Sequence, residues 1–145
     1  MIVIGSDHGG YELKEVMINY LKSIGKEVKD CGTFDGASVD YPDIAEEVCA
    51  EYKKGGYEFG ILICGTGIGI SIAANKIKGI RCALLNNEYS AKMTKRHNDS
   101  NIIAFGGRVV GPDMAIGMLE AYMSAEFEGG RHQKRIDKVS AIEEK

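Results

Sequence analysis

The sequence has no long apolar stretch, no run of like charge and no closely paired cysteines. Without an apolar run long enough for a bilayer, a membrane-spanning helix is excluded. The formal charge is only −3. With its charges dispersed, the chain offers no basic face to nucleic acid or to a lipid surface. An anionic ligand would therefore need a local site. The four cysteines, Cys31, Cys49, Cys64 and Cys82, form no C-x-x-C pair, and none stands at zinc-ligand spacing from a histidine. No metal and no cofactor are expected. The opening run Ile2-Val3-Ile4 lacks the basic start, apolar middle and small-residue cleavage site of a signal peptide. The expected compartment is the cytosol, where thiols stay reduced. No linker, repeat or low-complexity segment divides the chain.

What remains is a chain of 145 residues, the length of one domain with a real core. Apolar strand-like runs alternate with helix-period segments. Strands are predicted at Ile2–Gly5, Glu27–Cys31, Phe59–Cys64, Arg81–Leu85 and Asn101–Phe105. The third is continuously apolar, as a strand covered on both faces should be. Helices are predicted at Tyr11–Ile24, from Pro42 through Tyr52, at Ile68–Ile77, Glu88–His97, Pro112–Ala125 and Arg131–Glu144. The first carries Leu13, Val16, Met17, Tyr20, Leu21 and Ile24 on one stripe. Strands joined by helical crossovers require a parallel sheet covered on both faces. The expected fold is α/β: one Rossmann-like three-layer domain over residues 1–145, with a five-stranded parallel sheet and a C-terminal helical arm. Two readings stand for that arm, residues 128–145. It reaches a partner subunit, or it packs on its own domain as a solvated helix.

Ligands of open parallel sheets bind at the carboxyl ends of the strands. The polar, glycine-rich segments fall there: Ser6 to Gly10, Cys64 to Gly69, Asn86-Asn87 and Gly106 to Arg108. The strongest signal is Cys64-Gly65-Thr66-Gly67-Ile68-Gly69-Ile70-Ser71, between a buried strand and a helix. Its glycines permit a tight turn with backbone N–H groups gathered at a helix N-terminus. Such a turn can hold a phosphate or an enediolate oxygen. It is neither G-x-G-x-x-G nor G-x-x-x-x-G-K-[ST]. The plainer alternative is a turn needed only for packing. Backbone dipoles at Cys64 would favour a thiolate, able to act as base or nucleophile; the alternative is an inert core thiol, which is the reading adopted for Cys31, Cys49 and Cys82.

Other residues carry two readings as well. Asp7 and His8 can bind sugar hydroxyls or phosphate, and Asp7 can equally cap the first helix. His97 can move a proton at neutral pH, or sit at a helix C-terminus favoured by the dipole. Arg108, Arg131 and Arg135 are the cations best suited to a phosphate, because the guanidinium fork donates two parallel hydrogen bonds. Arg131 and Arg135 are four apart and share a helical face.

Taken together, these segments resemble the B-type ribose-5-phosphate isomerases, in the family that also contains lactose-pathway galactose-6-phosphate isomerase subunits. The resemblance runs from Gly5-Ser6-Asp7-His8-Gly9-Gly10 through Asp40-Tyr41-Pro42, Cys64 to Lys76, His97-Asn98-Asp99 and Phe105 to Val109, to Glu128-Gly129-Gly130-Arg131-His132. It implies an aldose–ketose isomerase acting through an enediolate. Cys64 would be the base at C2 and C1, and Gly65 to Gly69 would stabilise the enediolate. Thr66 would move a proton between the oxygens. His97 would open the furanose ring, with Asp7 and Asn98 assisting. His8, Arg108, Arg131 and Arg135 would hold the phosphate, the last two supplied by a second subunit of a homodimer or dimer of dimers. Tyr41 would line the site. One branch of the family has a glutamate base where this chain has Ser71, so Cys64 with Ser71 fits the cysteine branch. A six-carbon sugar phosphate substrate and a non-catalytic phosphate-binding module remain the alternatives.

Overall fold

Five parallel strands make one sheet in the order β2-β1-β3-β5-β4, in a computed structural model that describes all residues, Met1–Lys145. The strands are β1 (Ile2–Ser6), β2 (Val28–Asp30), β3 (Phe59–Cys64), β4 (Cys82–Leu84) and β5 (Ile102–Gly106). The helices are α1 (Tyr11–Ser23), α2 (Tyr41–Lys53), α3 (Ile68–Asn75), α4 (Glu88–Met93), α5 (Pro112–Met123) and α6 (Arg131–Ile142). A short 3₁₀ turn covers His8–Gly10. The edge strands β2 and β4 are shorter than their sequence runs suggest, since each pairs on one side only.

Strand periodicity sorts the core into two halves. Ile2, Ile4, Ile61, Ile63, Ile103 and Phe105 point to the face covered by α1, α4 and α5. Val3, Leu62, Cys64, Ile102 and Ala104 point to the face covered by α2 and α3. Each fully buried aliphatic side chain stabilises the fold by about 1.5–3 kcal/mol, and β1, β3 and β5 are buried along their whole length. No helix is long and apolar enough to cross a membrane.

Two features bear on the site. The crossover leaving β1 runs to β2, and that leaving β3 runs the opposite way to β4. The carboxyl ends of β1 and β3 therefore flank a topological switch point, where open sheets have their crevice. Second, the helix expected over Glu88–His97 changes character. Its α part ends at Met93, and Thr94–Asn98 is a π-helix closed by Asp99 in the left-handed region (φ 43°). Sequence periodicity gave no sign of this extra-residue turn, a type frequent at functional sites.

The terminal helix α6 folds back on its own chain. His132 and Ile136 are buried, Glu143 accepts from the Gly79 N–H at 3.1 Å, and Lys78 pairs with Glu144.

Candidate active site

Three loops meet at the carboxyl edge. The Asp7 N–H donates to Ile63 O at 3.1 Å, Gly107 N–H to Cys64 O at 2.8 Å, and Arg108 N–H to Gly65 O at 3.0 Å. The loops lie too close for side chains. A Cβ on Gly107 would stand 2.6 Å from Gly9 O. Gly67 is in the left-handed region (φ 78°), and a Cβ there would stand 2.6 Å from Leu84 Cδ1 and 2.8 Å from the Phe105 carbonyl carbon. Only glycine serves at such a position.

The turn's conformation has a chemical result. The Gly67 N–H donates to Cys64 Sγ at 3.1 Å, and Cys64 itself is buried. The Ile68 N–H is taken by Thr66 Oγ1 at 3.2 Å. Two of the five amides of Gly65 to Gly69 thus already have acceptors within the chain. Gly67 serves the sulfur and Ile68 serves the threonine, while the N–H groups of Gly65, Thr66, Gly69 and Ile70 have no acceptor within the chain. Ser71 is turned onto its own helix, donating to Ile68 O at 2.7 Å.

Around this turn stand the other expected residues. The Asp7 carboxylate accepts from the Gly9 N–H at 2.9 Å, so its capping role is realised on the 3₁₀ turn. The Arg108 guanidinium lies over Gly65; a Cβ there would be 3.1 Å from Nη1. The Tyr41 ring covers Gly69 in the same way, at 2.7 Å. His8 and Arg108 line a cleft of about 300 Å³ with Gly9, Tyr11, Gly36 and Gly107. Both side chains are exposed, and no ion pair engages Arg108.

His97, Asn98, Arg131 and Arg135 are elsewhere. A crossover helix returns from the carboxyl edge to the amino edge, and His97 lies at the far end of one, just before β5. The neighbouring backbone confirms the position. Arg81, immediately ahead of β4, donates from Nε to Asn98 O at 3.0 Å and from Nη2 to Asp99 O at 2.8 Å. No hydrogen bond or ion pair joins this group to the Cys64 loops. One chain does not bring Cys64 and His97 together.

At the amino edge the fold assembles a cluster that the sequence reading did not foresee. The rings of His97 and His132 stack with centroids 4.2 Å apart and planes within 8°. Glu128 Oε1 is 3.3 Å from His132 Nε2, and Glu128 Oε2 is 3.9 Å from His97 Nε2. Arg96 Nε donates to Glu128 Oε2 at 2.6 Å. Burial lowers the His132 pKa, reinforced by His97 and Arg131 and opposed by Glu128. Glu128 is also lowered: desolvation raises it, but the bond from Arg96 and the charges of Arg96 and the two histidines outweigh that. The histidines distant in sequence thus meet in space: one ligand atom from each of His97, Glu128 and His132 falls within 4.8 Å of the others. The signal lay in Gly129-Gly130, both at positive φ (67° and 57°), which turn the chain so that Glu128 faces His132. Arg131 and Arg135 project from the exposed side of α6 and form no ion pair.

Comparison with known proteins gives a consistent result. A family described as Ribose/Galactose Isomerase matches residues 2–139. Ribose-5-phosphate isomerase B of Escherichia coli is 46% identical over 144 residues, 99% of this chain and 97% of that protein. The solved structure of Clostridium thermocellum ribose-5-phosphate isomerase B superposes with TM-score 0.97 at 52% identity, covering 99% of this chain and 97% of that one. That of Mycoplasma genitalium ribose-5-phosphate isomerase B with bound ribulose 5-phosphate gives 0.94 at 40% identity, covering 99% and 96%.

Proposed function

The chain belongs to the ribose/galactose isomerase family, and from that premise we propose that it interconverts ribose 5-phosphate and ribulose 5-phosphate through an enediolate. The observation that carries the reading is Cys64 itself. It ends a central strand at the switch point, with an amide aimed at its sulfur and a cleft lined by His8 and Arg108 nearby. The relative from Mycoplasma genitalium holds ribulose 5-phosphate in a closely superposable fold.

The Cys64 thiolate removes the proton from C2 of the open-chain aldose. The electron pair forms the C1–C2 double bond, and negative charge moves to O1. The unpaired N–H groups of the glycine turn stabilise that charge. Thr66 relays the proton from O2 to O1. The electrons then collapse to a C2 carbonyl as the thiol returns its proton to C1. His8 and Arg108 bind the phosphate, and that anchorage orients C1 and C2 at the sulfur. The Gly67 N–H, donating to Sγ, holds the sulfur in place at the end of β3.

Ring opening requires the imidazole of His97, which sits at the other edge of its own sheet. The working unit is therefore a homodimer in which the partner supplies His97 and Asn98 as well as Arg131 and Arg135. This enlarges the partner's share beyond the two arginines first expected of it. Exposed Ile68 and Ile72, one turn apart on α3 beside the glycine turn, support a partner-covered surface there. The reaction belongs to cytosolic pentose phosphate metabolism.

The test is isomerisation of ribose 5-phosphate in heavy water, beside allose 6-phosphate. Cys64→Ala is expected to lower kcat roughly 10²–10⁴-fold and to stop label uptake, while inorganic phosphate still binds. Full activity in that variant would remove Cys64 from the mechanism, and faster turnover of allose 6-phosphate would reassign the substrate.

A further inference from the structure

His132 is 6% exposed, and its Nε2 has no hydrogen-bond partner. Its nearest polar neighbour is Glu128 Oε1, at 3.3 Å but without the alignment of a hydrogen bond. A buried imidazole nitrogen beside a carboxylate oxygen, with no aligned hydrogen bond between them, is an unsatisfied polar contact that a bridging cation would satisfy. The stacked His97 ring turns a second Nε2 to the same carboxylate.

Two imidazoles and a carboxylate are a known zinc donor set, with water completing a tetrahedron. The ligand atoms lie within 4.8 Å of one another. Bonds of about 2.0–2.1 Å require them about 3.3–3.4 Å apart, so binding requires the two rings, now nearly parallel, to tilt out of their stack until both nitrogens point at one ion. Arg96 already holds Glu128 Oε2 and leaves Oε1 directed at His132, the orientation that an outer-shell partner imposes on a ligating carboxylate. We infer that His97, Glu128 and His132 bind one divalent ion of the zinc class, and that the ion withdraws His97 Nε2 from proton transfer. The binding stands on the cluster alone; the inhibition rests on the ring-opening role proposed above.

Cobalt(II) reports both. Intact protein is stripped with EDTA, dialysed and titrated with Co²⁺ while visible absorption and isomerisation of ribose 5-phosphate are followed separately. One Co²⁺ per chain is expected, with tetrahedral d–d bands and no thiolate charge-transfer band, and Zn²⁺ should displace it. His132→Ala and Glu128→Gln should each weaken binding at least about tenfold; Glu128 is a surface residue, so that variant retains its fold. Activity should fall in step with occupancy and return with EDTA. Absent d–d bands, a thiolate band, or unchanged affinity in Glu128→Gln would overturn the site. Full activity at full occupancy would overturn the inhibition, and with it the role of His97, while leaving the site intact.

Discussion

Cys64 and His97 stand at opposite edges of one parallel sheet, the thiol at the carboxyl end of β3 and the imidazole just ahead of β5. If both act on one substrate molecule, they come from two chains. Mixed dimers of His97→Ala and Cys64→Ala subunits then contain one site with both groups and one with neither. Random reassortment of the two inactive proteins should restore about a quarter of wild-type activity, as two-fold symmetry dictates. No recovery after verified subunit exchange would rule out the shared arrangement.

Gly67→Ala places a methyl against Leu84 and the Phe105 backbone at a positive φ. The expected cost is about 1–3 kcal/mol in stability, from backbone strain and overpacking. Because the same amide bonds Cys64 Sγ, kcat should fall by more than KM changes. Urea midpoints and steady-state kinetics separate the two effects.

Thiol reactivity should divide the cysteines. Burial, followed by the charges of Glu47 and Glu51, pushes the Cys31 thiol up to about 11. Burial pushes Cys49 up to about 12, slightly relieved by Lys53, and raises Cys82 as well. At pH 8 these three are almost wholly thiols, and iodoacetamide should leave them unmodified until the protein unfolds. Peptide mapping that finds fast labelling at Cys31 or Cys49 in native protein would contradict this.

Lys14 is a fully buried lysine whose ammonium meets both Asp30 carboxylate oxygens, at 2.8 and 2.7 Å, beneath the rings of Tyr11 and Phe34. Removing one partner of such a pair leaves the other uncompensated. Asp30 retains some solvent contact, so Lys14→Met should cost about 2 kcal/mol rather than the upper limit for a sealed pair. A lower denaturant midpoint with unchanged m-value is the expected readout.

Much of this is legible in the sequence. Phe59–Cys64 announced a doubly covered strand because it is apolar at every position, and Pro42 and Pro112 marked helix starts that the fold retains. The glycine turn was legible because few chemistries need a thiol, a hydroxyl and three glycines together. The location of His97 was harder. Rules for sheet ligands draw attention to carboxyl ends, whereas a residue closing a crossover helix belongs by construction to the amino edge, and that inference was available from element order alone. The assignment of amides within Gly65 to Gly69 depends on individual backbone angles, which residue type only permits. The pairing of His132 with His97 joins segments far apart along the chain, and nothing in either segment alone encodes it.

A π turn accommodates one residue more than an α-helix of the same span. Between α4 and β5 that surplus residue sets how far the chain has rotated when it reaches His97. Deleting any single position from Thr94 to Arg96 would let the segment relax to ordinary winding and swing the imidazole off His132. The length of this crossover is thus as constrained as its composition, and natural variation there should proceed by substitution rather than by insertion or loss.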